Sequence, residues 1–202
     1  MIIKYKIILL IFLSINISYA DNFLEEKEFL KSFTEDAISI ISNQNISEDQ
    51  KELLISDHVL KAFDTKKISR AVLGSKTWSS ITEVQKERFL ELFKQYVSAR
   101  YTKNLFQYVS PNTKLRIDNA ENSGKSNQFI KITTTVFDEK NEGLSVGINW
   151  FIVNDVQLKL FNAQIEGAHM ILIFREQIQS ILSKNSDFDL FLNNLENLNT
   201  NL

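Results

Sequence analysis

Apolar residues keep to helical spacing over the first half of the chain and to every second position over much of the second half. Between Asn22 and Asn43, Phe23, Leu30, Phe33, Ala37 and Ile41 fall on one helical face. Ser47-Glu-Asp-Gln50 has the form of a capping box, and the helix it opens is expected to reach Ala62. Asp64 offers the next N-cap, for a short helix through Ile68, Ala71 and Val72 that Gly74 stops. Thr82-Glu-Val-Gln85 is a second capping box of the same kind. It opens the longest stripe in the chain, with Phe89, Phe93, Val97, Tyr101, Leu105 and Tyr108 at steps of four and three. Pro111 closes that region.

Beyond Pro111 the period becomes two. Leu115 and Ile117 begin a strand, and Asn122-Ser-Gly-Lys-Ser126 reads as a polar turn. Ile130, Ile132, Thr134 and Val136 then alternate with Lys131, Thr133 and Thr135. Asn141-Glu-Gly143 reads as a second turn, before Leu144, Val146, Ile148, Trp150 and Ile152. Asn154-Asp155 reads as a two-residue hairpin, with Val156, Leu158 and Leu160 in the last strand. Helical spacing returns at Met170–Leu182 and again through Phe188, Phe191, Leu192 and Leu195. Helices, then an antiparallel meander, then helices make an α+β fold in one domain. The apolar sheet face fills either a solid core or a cone around a ligand, and the pattern is common to both.

The first twenty residues stand apart. Lys4 and Lys6 precede an apolar run from Ile7 to Ile17, and Ser18-Tyr19-Ala20 supplies small residues at a cleavage site. This is the form of a secretory signal peptide cleaved after Ala20, which leaves residues 21–202 as a single exported domain. The run is shorter than the roughly 20 residues a spanning helix needs. Cysteine is absent, so thiol catalysis, thiolate zinc sites and disulfides are excluded. Without Lys4 and Lys6 the chain has 21 basic and 25 acidic residues, a balance that does not favour nucleic acid.

Several segments, in order, resemble the MlaC (toluene-tolerance) family. Phe63-Asp64, Ile68-Ser-Arg70-Ala-Val-Leu-Gly74 and Trp78 are similar to its Phe-Asp…Ala-Arg…Val-Leu-Gly…Trp stretch. Thr82 to Phe93, with Tyr101, Leu105 and Tyr108, resembles its next helix. Ile165-Glu-Gly167, Arg175, Gln177 and Ile181-Leu182 resemble its Val-Glu-Gly-Val-Ser…Tyr-Arg-Gln-Phe…Ile-Leu ending. Two positions depart from the pattern. Ala168-His169 stands where Val-Ser is usual, which removes a serine suited to cap the following helix, and Asn162 stands where Asp is common.

The resemblance implies a nuclear-transport-factor-like sheet packed on helices, with an apolar interior that holds phospholipid acyl chains. It implies a periplasmic carrier within an Mla-type ABC transport pathway that maintains outer-membrane lipid asymmetry. Its partners would be an outer-membrane MlaA-type lipoprotein complex and an inner-membrane MlaD-type transporter component. Phospholipid would be cargo, with no cofactor, no metal and no catalysis.

Apolar walls suffice for such cargo, because burial is worth roughly 0.8 kcal/mol per CH₂. Phe93, Val97, Ile132, Val136, Val146, Ile148, Trp150, Leu158 and Leu160 are the candidate lining, with Met170 and Phe174 as a flexible edge. The plainer reading makes them ordinary core. The cavity is expected between the helix from Thr82 to Tyr108 and the sheet. An enzyme on the same cone-like fold, of isomerase or dehydratase type, would need an acid or base inside. Thr134 and Asn162 are the inward polar candidates, and neither is an adequate base. A solid, non-binding exported protein is the third possibility. His58 and His169 are far apart in sequence without a carboxylate cluster, Asp64 reads as a cap, and Arg70 and Arg175 read as surface or structural ion-pair formers.

Overall fold

Several helices start where the side chain just before them satisfies an amide of the first turn. The computed structural model describes residues 22–105 and 109–200, and the backbone alone for 99–105 and 142–144. Helix α1 is Leu24–Ser42 and α2 is Glu48–Ala62. At α2, Ser47 Oγ accepts from the Gln50 amide at 3.3 Å, and Gln50 Oε1 accepts from the Ser47 amide at 3.0 Å. Helix α3, Thr65–Leu73, is capped by Asp64 Oδ1 on the Lys67 amide at 2.9 Å. Helix α5, Glu83–Leu105, has the reciprocal pair Thr82 and Gln85, at 3.2 and 3.0 Å. Residues 106–108, at the far end of the expected helix, lie outside the described residues.

Gly74 ends α3 at φ +80°, a backbone that side-chain-bearing residues rarely adopt, and the chain turns straight into α4, Ser75–Ser80. The sequence pattern did not announce α4, whose six residues carry no apolar stripe.

The meander is present: β1 Thr113–Ser123, β2 Phe129–Asp138, β3 Asn141–Asn154, β4 Leu158–Ile165 and the two-residue β5 Ala168–His169. They lie in sheet order β1-β2-β3-β4-β5, every pair antiparallel. Three turns differ from expectation. β1 runs on through Asn122 and Ser123, and the reversal is made by Gly124 and a 3-10 turn at Lys125–Asn127. Asn141 already belongs to β3, so Glu139 and Lys140 make the next turn. Asn154 pairs with Leu158, which leaves Val156 at the tip of the loop, 99 % exposed rather than in the last strand. Alternation extrapolates through a loop, but a strand ends where its partner does. Helices α6, Met170–Leu182, and α7, Phe188–Thr200, complete an α+β architecture.

Two apolar clusters hold these elements. On one sheet face, Ile132, Ile152 and Leu160 are fully buried beneath Leu30 and Ala62, with Phe29, Phe33, Trp150 and Leu158 packed around them. The second cluster is helical and gathers Phe89, Phe93, Tyr96, Phe174, Ile178 and Phe191, among others. Phe63 packs on both. The corner between α2 and α3 is fixed to the sheet there, because the Asp64 amide donates to the Leu160 carbonyl at 2.8 Å. Each large side chain fully buried this way stabilises by about 1.5–3 kcal/mol.

Candidate functional site

Cross-strand register puts a continuous apolar row on the face beneath α1. Ile130 pairs with Ile152, Ile132 with Trp150, Thr134 with Ile148, and Val136 with Val146. Because side chains alternate along a strand, all of these share one face. Leu158 and Leu160 extend it across β4. At one end the row is covered: Phe33 of α1 meets the Trp150 ring edge-on at 5.9 Å. Towards the other end, Val136, Val146 and Ile148 are half-buried.

Thr134 is fully buried within this row, and its polarity is satisfied there. Trp150 Nε1 donates to Thr134 Oγ1 at 3.0 Å, and Thr134 Oγ1 donates to the Ile148 carbonyl at 3.2 Å. A hydroxyl engaged on both sides is neither a free ligand group nor a base.

The candidate lining therefore separates into two groups. Ile132, Val136, Val146, Ile148, Trp150, Leu158 and Leu160 share the sheet face. Phe93 and Phe174 meet edge-on at 5.8 Å inside the helical cluster, where Val97 and Met170 also pack. Helix α5 was expected to face the sheet. Its described side chains instead join the helical cluster with α3, α6 and α7, and Phe93 stacks on Phe89 at 5.6 Å. Helix α1, with Ala62 at the end of α2, covers the apolar row. Its Phe29, Leu30 and Phe33 are wall residues that sequence reasoning left out of the site. Their helical stripe was visible, but nothing local shows which surface a stripe meets.

Asn162 is not inward. It pairs with Phe151, on the face opposite the Trp150 row. There its Oδ1 accepts from the Ile171 amide at 3.1 Å, in the first turn of α6. With Oδ1 so committed, Nδ2 is the group facing His169 and donates to Nδ1 at 2.8 Å, which leaves the ring proton on Nε2. The cap lost with the missing serine is supplied from β4 instead. His169 itself makes no side-chain cap.

His58 is structural as well. Its Nε2 bonds the Phe33 carbonyl at 2.8 Å and its ring stacks on Phe33 at 4.9 Å, tying α2 to α1. Arg70 and Arg175 are exposed, away from the apolar row.

The shifted carboxylates belong to surface pairs. Asp138 is held below its ordinary range, first by the Ser110 hydroxyl at 2.6 Å and then by the Lys140 amide. Asp118 is lowered by Thr135 and Arg116, and Glu121 by Lys131. Among the described residues, no group of three His, Asp or Glu could hold a metal ion. A separate open groove of about 450 Å³ runs between α5, α6 and α7, past Ile173, Glu176, Ser180 and Leu198.

Fold and site together define an α+β domain in which an antiparallel sheet turns an apolar face towards a helical hairpin. The family model described as MlaC protein matches residues 31–197. The chain belongs to the MlaC family. Among solved structures it is similar to a phospholipid-binding protein from Ralstonia solanacearum, determined in complex with a phospholipid. The TM-score is 0.71 at 17 % identity, over 86 % of this chain and 96 % of that one. At that identity the likeness concerns the fold. No curated protein matches the chain.

Proposed function

We propose that this protein is a periplasmic phospholipid carrier that moves glycerophospholipid between the outer and inner membranes within an Mla-type pathway. The observation that carries the reading is the sheet row from Ile132 to Val146. It is apolar, its buried hydroxyl is satisfied by Trp150, and its Val136–Val146–Ile148 end is half-covered. Acyl chains continuing that row past α1 would gain burial without requiring any polar partner. Family membership and the fold shared with a phospholipid complex support the same reading.

In this reading residues 1–20 are a signal peptide removed after Ala20, and phospholipid is cargo rather than cofactor. An MlaA-type complex would supply or receive the lipid on one side and an MlaD-type component on the other. In this reading the domain acts by binding and release, and Thr134 on the row and Asn162 behind it are engaged in structural hydrogen bonds.

Organic extraction of the purified exported protein, followed by mass spectrometry, tests the reading. Glycerophospholipid in constant ratio to protein is expected. Protein free of lipid, and unable to take up lipid from vesicles, would overturn it.

A further inference from the structure

The near-neutral net charge conceals an uneven distribution. Helices α1 and α2 carry four lysines against nine acids. From Thr65 to Thr82 the chain has four basic residues and no acid at all. Within that stretch Lys66 and Arg70 are exposed and four residues apart on α3, hence on one face. The next position on the same face is Gly74, and Arg175 of α6 occupies the space beside it. A Cβ built on Gly74 would lie 3.3 Å from the Arg175 guanidinium nitrogen. Two helices thus place three cations in a line, at intervals of about 6 Å along α3.

These charges are not spent inside the protein. Among the described residues Lys66, Arg70 and Arg175 make no ion pair, whereas Lys67 beside them is paired with Asp155 and Asp64. Glu83 lies close enough to Lys66 to feel its field, but its carboxylate is held by Lys86 at 2.7 Å. Glu176, next to Arg175, lines the α5–α6–α7 groove instead. Lys76 adds a fourth exposed cation on α4. Trp78, on α4 with Lys76, is half-buried with the Lys86 ammonium over its ring at 5.7 Å, and Val84, in the first turn of α5, is 75 % exposed.

We propose that the ridge formed by Lys66, Arg70 and Arg175, with Lys76, docks the protein on an anionic lipid bilayer. Exposed cations on long side chains, spread over two helices, suit a smeared negative surface better than one defined carboxylate. Trp78 follows Lys76 by two residues on α4, and tryptophan is a residue type that settles at a headgroup boundary. The acid-rich α1–α2 hairpin would be repelled by the same surface, so docking would orient the molecule as well as hold it.

Sedimentation of the full exported chain with phosphatidylcholine vesicles, with and without phosphatidylglycerol, tests this at about 0.1 M salt, where the screening length is about 10 Å. Binding to the phosphatidylglycerol vesicles alone is expected, and it should weaken as salt is raised. The triple variant K66Q/R70Q/R175Q should bind about a hundredfold less tightly, at about fivefold per cation. A variant with the same charge change elsewhere, K125Q/K140Q/K184Q, should stay within about threefold of wild type. Circular dichroism confirms folding, and the charge-reversed K66E/R70E/R175E chain provides a second reading of the same ridge. Bound lipid is quantified on the same samples and should be unchanged in every variant, so that loss of docking is distinct from loss of cargo. The proposal falls if wild type ignores the anionic vesicles, even should it bind an acidic protein instead. It falls equally if both triple variants lose the same affinity, or if the ridge variant loses its bound lipid along with docking.

Discussion

Asn162 caps a helix that begins eight residues further along the chain: its Oδ1 accepts the Ile171 amide at 3.1 Å while its Nδ2 holds His169. A strand residue thereby sets where α6 starts, and the joint between sheet and helical cluster is a hydrogen-bonded corner. Replacing Asn162 by Ala should cost about 1 kcal/mol, the usual worth of an N-cap. Changing His169 to Ser in that background should recover part of the loss, because serine can cap the helix locally. Urea unfolding of the three chains measures both effects. No recovery in the double variant would mean that Asn162 acts through His169 and not through the cap.

Trp150 and Thr134 form a pair whose two members should not behave additively. Thr134→Val strands the indole N–H beside apolar walls and should cost about 1–3 kcal/mol. Adding Trp150→Phe removes that orphaned donor, so the double variant should be less destabilised than the two single losses summed. Denaturant midpoints for the complete cycle provide the check, and simple additivity would show that the hydrogen bond contributes nothing.

Val146 is half-buried at the open end of the apolar row, opposite Val136. A Val146→Trp chain should keep its fold and co-purify with much less lipid than wild type. Lipid at the wild-type ratio would place the cargo away from this end of the sheet.

Asp138 links Ser110 to the turn between β2 and β3, and its folded pKa is lowered by the Ser110 hydroxyl and the Lys140 amide. A carboxylate lowered on folding stabilises above its unfolded value, and that contribution is lost as pH falls through the folded one. Between these two values, below the ordinary Asp pKa of 3.8, wild type should lose stability that Asp138→Asn has already lost. The gap between the two chains should therefore narrow on acidification. Parallel thermal melts across that window decide the matter, and a constant gap would remove Asp138 from the acid response.

The exported chain should begin at Asp21, since Ser18 and Ala20 are small and the apolar run ends just before them. Intact mass of the periplasmic fraction should lack the first twenty residues. Recovery of the full-length mass would overturn the export reading.

Features written in neighbouring residues were legible in the chain itself. Ser47 with Gln50, Thr82 with Gln85, Asp64 as a cap and Gly74 as a stop are satisfied within four residues, so local chemistry specifies them. The two-residue period likewise placed Ile132, Val136, Val146, Ile148 and Trp150 on one face, because strand geometry leaves no alternative. What covers that face was decided elsewhere. Apolar stripes on α1 and α5 are equally good hydrophobic surfaces, and burial has no direction. In the folded protein α1 lies over the sheet and Phe93 meets Phe174, while the bond from Asp64 to Leu160 fixes the α2–α3 corner to β4. Asn162 shows the same limit from the polar side: its partners lie seven and nine residues away, across a reversal of the chain. Local pattern determined which residues seek burial or a hydrogen bond. Tertiary packing alone decided with whom, since that depends on how separate elements meet.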